Sequence, residues 1–194
     1  TEESPEDTAE APSEEVAEEP PEDAELTHTG PGTPCGEYLR RFWQPVCLSS
    51  QLSDLPVAIR ILGEDLVLFR NKSDQFGLLH LNCSHRNASL EYGIVEEKGL
   101  RCCYHGWLYD VDGTIIEAGG EPPESKIPQE VRHGAYPVIE FKGLIFTYMG
   151  PAAETPAFPI LDHFDLGPGD DMVPFLIPSP CNWLQVYENS FDPY

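Results

Sequence analysis

Two short segments of the sequence each place a cysteine close to a histidine. Cys83 and His85 have one residue between them, Cys102 and His105 have two, and 16 residues separate the two pairs. Thiolate and imidazole groups bind zinc, and they also bind iron together with sulfide. Structural zinc sites usually pair like ligands, with two to four residues between cysteines. A cysteine and a histidine separated by one residue do not fit that zinc pattern.

A repeated unit of cysteine followed by histidine is what a Rieske [2Fe-2S] centre requires. In such a centre two cysteines bind one iron and two histidines bind the other. The spacing therefore predicts this cluster, with Cys83, His85, Cys102 and His105 as its ligands. Two alternatives stay open. The same four residues could hold a zinc ion, or they could be unconnected buried residues that bind no metal.

The segments around these pairs have the composition of short β-strands. Turn residues separate them, including Asp112-Gly113, which is typical of a hairpin. This pattern predicts a mainly β chain folded as a small antiparallel barrel or sandwich. A short helix is predicted over residues 34–43 with Thr33 as its N-cap, and a long surface loop over residues 119–134. The strand-like runs are QPVCL, VAIRIL, DLVLFR, FGLLHL, GLRCCY, GWLYDV, TIIEA, YPVIEF and LIFTYM.

The other cysteines and histidines lack a partner motif. Alternation along a strand predicts that Cys103 packs in the core, away from Cys102. The other three cysteines are predicted to be buried thiols, and the four histidines to be surface or satisfied core residues. These are Cys35, Cys47 and Cys181, with His28, His80, His133 and His163.

Charge is distributed unevenly along the chain, which has a formal net charge of −23. The first 25 residues hold 12 Asp or Glu and no Lys or Arg, so a disordered acidic tail is predicted, with bounds at residues 1–32. The remaining sequence is also acidic and has no basic run, which argues against a nucleic acid partner. No apolar run approaches the ~18 residues needed to span a bilayer, and no signal peptide is evident. We therefore expect a soluble, cytoplasmic protein with no membrane partner.

Longer matches extend the two metal-binding segments. The sequences CSHRNASLEYG, GLRCCYHGWLYDVDG, YPVIEFKGLIFTYMGP and NWLQVYENSFDPY resemble the N-terminal part of Rieske non-haem iron oxygenase large (alpha) subunits of the phthalate dioxygenase type. The resemblance covers roughly residues 33–194. It implies a Rieske domain at 33–150, and a linker with the start of a catalytic domain at 151–194.

The resemblance also implies a function. The [2Fe-2S] cluster would take electrons from a reductase or ferredoxin that draws on NAD(P)H, and pass them to a mononuclear Fe(II) that activates O2. An aromatic or related apolar compound would then be hydroxylated or demethylated, in a full-length protein that assembles as a homotrimer. A stand-alone Rieske ferredoxin is the rival electron carrier, and a zinc-stabilised interaction domain is the third possibility.

The end of the sequence carries one further predicted site residue. In the resembled oxygenases, the run from Glu188 to Asp192 precedes the first histidine of a two-histidine, one-carboxylate iron site. By resemblance, Asp192 hydrogen-bonds a cluster-ligating histidine of a neighbouring subunit. The alternative is that Asp192 caps a helix that begins at Pro193. The iron ligands would follow Tyr194, so this chain alone is expected to have no oxygenase activity.

Three more residues are assigned to the surroundings of the cluster by resemblance: Arg86, Tyr104 and Trp107. Trp107 is expected either to shield the cluster or to serve as core packing. Respiratory Rieske proteins have a disulfide between the loops, at the positions of Ala88 and Tyr104, and a serine hydroxyl donor where this chain has Trp107. With these features missing, we expect a reduction potential near the lower end of the Rieske range, about −150 mV.

Overall fold

The computed structural model describes residues 21–164 and 167–192. These residues form four short α-helices, four single-turn 3-10 helices and eleven strands. The α-helices are α1 (Pro21–Thr27), α2 (Pro34–Leu39), α3 (Ile127–Glu130) and α4 (Trp183–Asn189). The strands are β1 (Trp43–Leu48), β2 (Val57–Ile61), β3 (Glu64–Arg70), β4 (Phe76–His80), β5 (Ile94–Val95), β6 (Leu100–Arg101), β7 (Leu108–Tyr109), β8 (Ile115–Glu117), β9 (Ala135–Tyr136), β10 (Val138–Phe141) and β11 (Leu144–Tyr148).

The strands form three antiparallel sheets. Their orders are β1-β11-β10, β2-β3-β4-β9 and β5-β6-β7-β8. The mainly β, antiparallel prediction is confirmed, and each of the nine strand-like runs contains a strand. Strand β5 was not predicted, because a two-residue strand is too short to show alternation.

Strand β3 explains how the sheets pack. Its four central residues, from Leu66 to Phe69, are all buried, so the strand shows no apolar and polar alternation. Val67 and Phe69 enter a core that also contains Cys83 and Cys102. Leu66 and Leu68 enter a second core with residues from the β1-β11-β10 sheet. Because side chains alternate between the faces of a strand, one strand supplies both cores.

Two loops leave this framework close to the first core. The first loop (residues 82–89) follows β4 and is closed by an isolated bridge between Asn82 and Ser89. The second loop (residues 102–107) joins β6 to β7, whose register pairs Leu100 with Tyr109. The predicted hairpin turn joins β7 to β8, and Gly113 has the positive φ of +82° that favours glycine.

The predicted helix at residues 34–43 is shorter in the structure. Thr33 is the N-cap as predicted, and its Oγ1 accepts a hydrogen bond from the Gly36 N–H at 3.2 Å. Helix α2 ends at Leu39, however, because Trp43 begins strand β1 and pairs with Tyr148. Tertiary pairing therefore overrides the local helical preference. The predicted long loop at 119–134 also contains the one-turn helix α3.

The N-terminal prediction needs a correction at its boundary. Residues 1–20 of the predicted tail lie outside the described residues. Residues 21–27 form helix α1, so the predicted tail is too long at its C-terminal end. Trp183 Nε1 donates to the Leu26 carbonyl at 3.0 Å, and Asn182 Nδ2 donates to the Thr27 carbonyl at 3.1 Å. These contacts with the start of α4 hold α1 in place.

Within residues 21–164 and 167–192, none of the helices has the length and apolar character that crossing a bilayer requires.

Candidate metal centre

The two loops close with the same pattern of backbone hydrogen bonds. In the first loop, the Cys83 N–H donates to the Ala88 carbonyl and the Asn87 N–H donates to the Cys83 carbonyl, both at 2.9 Å. In the second loop, the Cys102 N–H donates to the Trp107 carbonyl at 2.8 Å, and the Gly106 N–H donates to the Cys102 carbonyl at 3.1 Å. Each cysteine therefore sits at the base of an equivalent turn.

A residue with positive φ lies four positions after the cysteine in each loop. It is Asn87 in the first loop, with φ of 55°, and Gly106 in the second, with φ of 74°. Asparagine tolerates the left-handed region better than most residues other than glycine. Asn87 can therefore adopt the left-handed backbone conformation in the first loop that Gly106 adopts in the second.

The four predicted ligands come together as two pairs. The thiols of Cys83 and Cys102 are both 2% exposed, and they interact with each other. Burial raises the pKa of the Cys102 thiol and the Cys83 thiol raises it further, whereas backbone N–H groups of Tyr104 and His105 oppose the rise. The rings of His85 and His105 lie with centroids 4.8 Å apart. His105 is exposed and His85 half-buried, so the thiols lie inside and the imidazoles near the surface.

These pairs fit a two-iron cluster. Among the residues that the structure describes, no three His, Cys, Asp or Glu side chains lie close enough to hold one metal ion. A Rieske cluster needs only two protein ligands on each iron. The indole Nε1 of Trp107 is buried without a hydrogen-bond partner. Buried donors are nearly always paired, so a donor left unpaired beside the loops is consistent with a bound group that brings acceptor atoms.

Tyr109 contacts a predicted ligand, and the sequence analysis did not single it out. Its hydroxyl lies 3.0 Å from the Cys83 sulfur. Burial is the main reason that the pKa of Tyr109 is raised, so the phenol stays protonated and can donate. Tyr109 follows the GW sequence by two residues, but nothing in its sequence position indicates contact with the first loop.

The three residues assigned to the cluster surroundings occupy different positions. Trp107 is 3% exposed and stacks parallel to the His85 ring, with centroids 4.8 Å apart. Tyr104 is 61% exposed, and its ring centroid lies 3.7 Å from that of His105. Arg86 is exposed. The structure thus places Trp107 and Tyr104 against ligand rings, and their roles toward a cluster stay predictions.

Arg101 holds the second loop from outside. Its guanidinium donates to the Gly106 carbonyl at 2.7 Å and to both carboxylate oxygens of Glu96, at 2.5 and 3.0 Å. It also pairs with Glu117 at 2.8 Å. The hydrogen bond from Arg101 is the main reason that the pKa of Glu96 is lowered. Arg101 therefore ties the residue between His105 and Trp107 to the neighbouring strands.

We expect Arg101→Gln to lower the free energy of unfolding by about 1–2 kcal/mol, because the Gly106 carbonyl and Glu96 lose their charged donor. Urea denaturation of the purified chain measures this. Arg132→Gln is the matched control, since Arg132 forms an exposed pair with Asp112 and surface pairs contribute about 0–1 kcal/mol. Equal stability of the two variants would contradict a holding role for Arg101.

The remaining cysteine and histidine predictions have mixed outcomes. Cys35 is buried as predicted and Cys47 is half-buried. Cys103 and Cys181 are exposed, so their predicted burial is wrong. For Cys103 the reason is that β6 ends at Arg101, and alternation does not continue into the turn. His133 is 5% exposed and hydrogen-bonded, which confirms a satisfied core histidine.

Asp192 lies beyond the end of α4, where it is exposed. Its N–H donates to the Asn189 carbonyl at 3.3 Å. Pro193, at which the alternative helix would begin, lies outside the described residues. The predicted contact of Asp192 with a neighbouring subunit therefore stays a prediction.

Comparison with known proteins identifies the domain and its relatives. The sequence model of the Rieske [2Fe-2S] domain family matches residues 42–135 of this chain. The chain is 57% identical to the oxygenase subunit of tert-butanol monooxygenase / tert-amyl alcohol desaturase from Aquincola tertiaricarbonis, over 90% of this chain and 37% of that protein. It is 39% identical to the phthalate 4,5-dioxygenase oxygenase subunit from Pseudomonas putida, over 89% of this chain and 40% of that protein. Residues 42–135 therefore match a Rieske [2Fe-2S] domain, and about 90% of the chain is similar to oxygenase subunits.

Solved structures agree with this assignment. This chain resembles one chain from the structure of the oxygenase and ferredoxin complex of carbazole 1,9a-dioxygenase. The TM-score is 0.53 and the sequence identity 28%, over 67% of this chain and 31% of the other chain. The predicted resemblance to Rieske oxygenase alpha subunits is therefore confirmed. The chain spans about two fifths of the length of these curated relatives, which are oxygenase subunits and hence oxidoreductases.

Proposed function

We propose that this chain is the electron-transfer part of a Rieske oxygenase large subunit. The observation that carries the proposal is the pair of equivalent loops, with the Cys83 and Cys102 thiols buried together and the His85 and His105 rings 4.8 Å apart nearer the surface. A [2Fe-2S] cluster bound by these four residues accepts and releases single electrons.

The residues around the loops support this role in three ways. The Tyr109 hydroxyl lies 3.0 Å from the Cys83 sulfur, and the backbone of Tyr104 and His105 lowers the pKa of the Cys102 thiol, which favours the thiolate. Hydrogen bonds to sulfur stabilise the more negative, reduced state. The core around both thiols excludes water. The exposed ring of His105 leaves one side of the centre open to electron exchange with a partner.

For the full-length protein we propose the activity of its relatives in general form. Electrons from a ferredoxin or reductase would pass to a mononuclear Fe(II), which activates O2 on an aromatic or related apolar substrate. The structural relative in complex with a ferredoxin supports a ferredoxin-type donor.

We further propose a homotrimer in which Asp192 hydrogen-bonds a ligand histidine of the next subunit, which would fix the tautomer of that ring. Asp192→Asn in the full-length protein would then slow product formation and leave the cluster spectrum unchanged.

The test of the proposed function is reconstitution of the purified chain with iron and sulfide. We expect about two irons and two sulfides per chain, a red-brown colour, and a rhombic EPR signal after reduction. Because the chain spans only about two fifths of the length of its curated relatives, we expect no O2-dependent turnover by the chain alone. A colourless protein that holds one zinc would contradict the electron-transfer proposal. Substrate oxidation by the isolated chain would contradict the proposal that this chain is only the electron-transfer part of the enzyme.

A further inference from the structure

His133 is a buried histidine that contacts the first loop without being one of its predicted ligands. Its Nδ1 lies 2.6 Å from the Ser84 hydroxyl, and its Nε2 lies 2.8 Å from the His80 carbonyl oxygen. Ser84 stands between Cys83 and His85. The imidazole thus joins the loop to the end of strand β4.

The two partners of His133 determine its tautomer. The His80 carbonyl can only accept a hydrogen bond, so Nε2 must carry the proton. Burial lowers the pKa of His133, which keeps the ring neutral. Nδ1 is then an acceptor, and the Ser84 hydroxyl donates to it. The direction of each bond in the series Ser84, His133, His80 is therefore fixed by the carbonyl at its end.

The backbone of His133 makes this anchor rigid. Its N–H donates to the Gly113 carbonyl at 2.9 Å, and Arg132 forms a bridge with Thr114. Ala135 then pairs with Leu79 in the sheet. The imidazole is held by the β7–β8 hairpin on one side and by β4 on the other, which is what precise positioning of a loop requires.

Ser84 links this anchor to a cysteine sulfur. Ser84 directly follows Cys83, whose sulfur lies 3.0 Å from the Tyr109 hydroxyl. The Tyr109 ring also packs against His133, with centroids 4.5 Å apart. The position of Ser84 therefore sets how the Tyr109 hydroxyl meets the sulfur.

We propose that His133 is a positioning residue for the cluster: through the Ser84 hydroxyl it fixes the backbone between two ligands and aligns the Tyr109 hydroxyl with the Cys83 sulfur. This inference rests on the proposed function, because it concerns the bound cluster. It adds to that function a residue about 50 positions from the first loop in sequence, with a defined protonation and a defined route of action.

Four variants of the reconstituted chain test this. Ser84→Ala removes only the hydroxyl, and His133→Phe keeps a ring of similar size without polar atoms. His133→Gln retains a donor and an acceptor on one planar group. Ser49→Ala is the matched control, because its hydroxyl donates to Glu140 in another sheet.

Two measurements are made on each variant: the rate at which an iron chelator removes the cluster, and the reduction potential by protein-film voltammetry. We expect Ser84→Ala and His133→Phe to lose iron about five-fold faster than the unaltered chain, the factor for one hydrogen bond of about 1 kcal/mol. The reduction potential of both variants should fall. The decrease should be smaller than in a Tyr109→Phe variant, which lacks the hydroxyl beside the Cys83 sulfur. His133→Gln should lie between His133→Phe and the unaltered chain, and Ser49→Ala should match the latter.

The decisive comparison adds Ser84→Ala to a Tyr109→Phe background. If Ser84 acts through Tyr109, it no longer shifts the potential there, since coupled residues are not additive. An undiminished shift would overturn the proposal, and so would a Ser84→Ala variant that matches Ser49→Ala. An effect of His133→Phe without one of Ser84→Ala would show core packing only. If His133→Phe fails to fold, Ser84→Ala decides alone. All these outcomes presuppose a cluster in the unaltered chain, so they are distinguishable from failure of the proposed function.

Discussion

Cys83→Ser and Cys102→Ser are each expected to abolish the cluster. Serine oxygen is a poor substitute for the thiolate that the iron requires, and both sulfurs lie in the core with 2% exposure, where loss of the bound group leaves polar atoms unsatisfied. We expect iron and sulfide to fall from about two of each per chain to less than about a tenth of that. The thermal midpoint of the purified variants should also fall below that of the reconstituted chain, because binding of a group to the folded state stabilises it.

Cys103→Ser is the control for this experiment. Cys103 neighbours Cys102 in the chain, but its side chain is exposed and directed away from the core. It should therefore retain full iron and sulfide content and an unchanged EPR spectrum. Normal iron content in either Cys83→Ser or Cys102→Ser would remove that residue from the ligand set. Loss of the cluster in Cys103→Ser would show that the second loop binds iron through Cys103 and not through Cys102.

Tyr109→Phe is expected to lower the reduction potential. The hydroxyl contacts the Cys83 sulfur at 3.0 Å, and a donor to sulfur favours the reduced state, in which the cluster carries more negative charge. Removal of a hydrogen bond to a charged group changes the free-energy difference between the oxidised and reduced cluster by about 1–2 kcal/mol. This corresponds to roughly 40–90 mV for a one-electron couple. Protein-film voltammetry at neutral pH measures the shift directly.

Tyr148→Phe serves as the matched control. Tyr148 is buried as deeply as Tyr109, but its hydroxyl donates to the Glu154 carbonyl, and its strand, β11, pairs with β1 and β10. Its potential should stay at that of the unaltered chain. If Tyr109→Phe raises the potential or leaves it unchanged, the Tyr109 hydroxyl does not act on the sulfur of the bound cluster.

Tyr109 also changes the expectation for the potential of the unaltered chain. The sequence indicates that the inter-loop disulfide and the serine donor are absent, because Ala88, Tyr104 and Trp107 occupy those positions. It does not show that a tyrosine hydroxyl reaches the Cys83 sulfur, or that the Trp107 N–H is buried with no partner. At least one donor therefore offsets the missing ones, and we expect the potential to lie above the lower end of the Rieske range, about −150 mV.

The sequence predicts the ligand pairs because their spacing is local. Each pair lies within four residues, so the turn that presents it is encoded by neighbours such as Asn87 and Gly106. The same local reasoning gives the Thr33 cap and the Asp112-Gly113 hairpin. It fails for Cys103, since the point at which a strand ends depends on where its partner strands end.

The supports of the site could not be predicted in the same way. His133 reaches Ser84 across 49 residues, and the contact exists only because β9 pairs with β4. Arg101 carries no signal beyond its charge, although it lies next to a predicted ligand. The end of α2 at Leu39 is likewise set by the pairing of Trp43 with Tyr148. In each case the information is in the topology of the sheets, which periodicity alone does not specify.

Strand β3 has a consequence for how the molecule responds to loss of its cofactor. Because Val67 and Phe69 lie in the core around the two thiols while Leu66 and Leu68 lie in the other core, the two cores share one backbone and cannot loosen independently. We therefore expect binding of the cluster to slow hydrogen exchange of backbone amides in both the β5-β6-β7-β8 sheet and the β1-β11-β10 sheet. The apo and loaded forms are thus expected to differ in amide protection outside the two loops as well as within them.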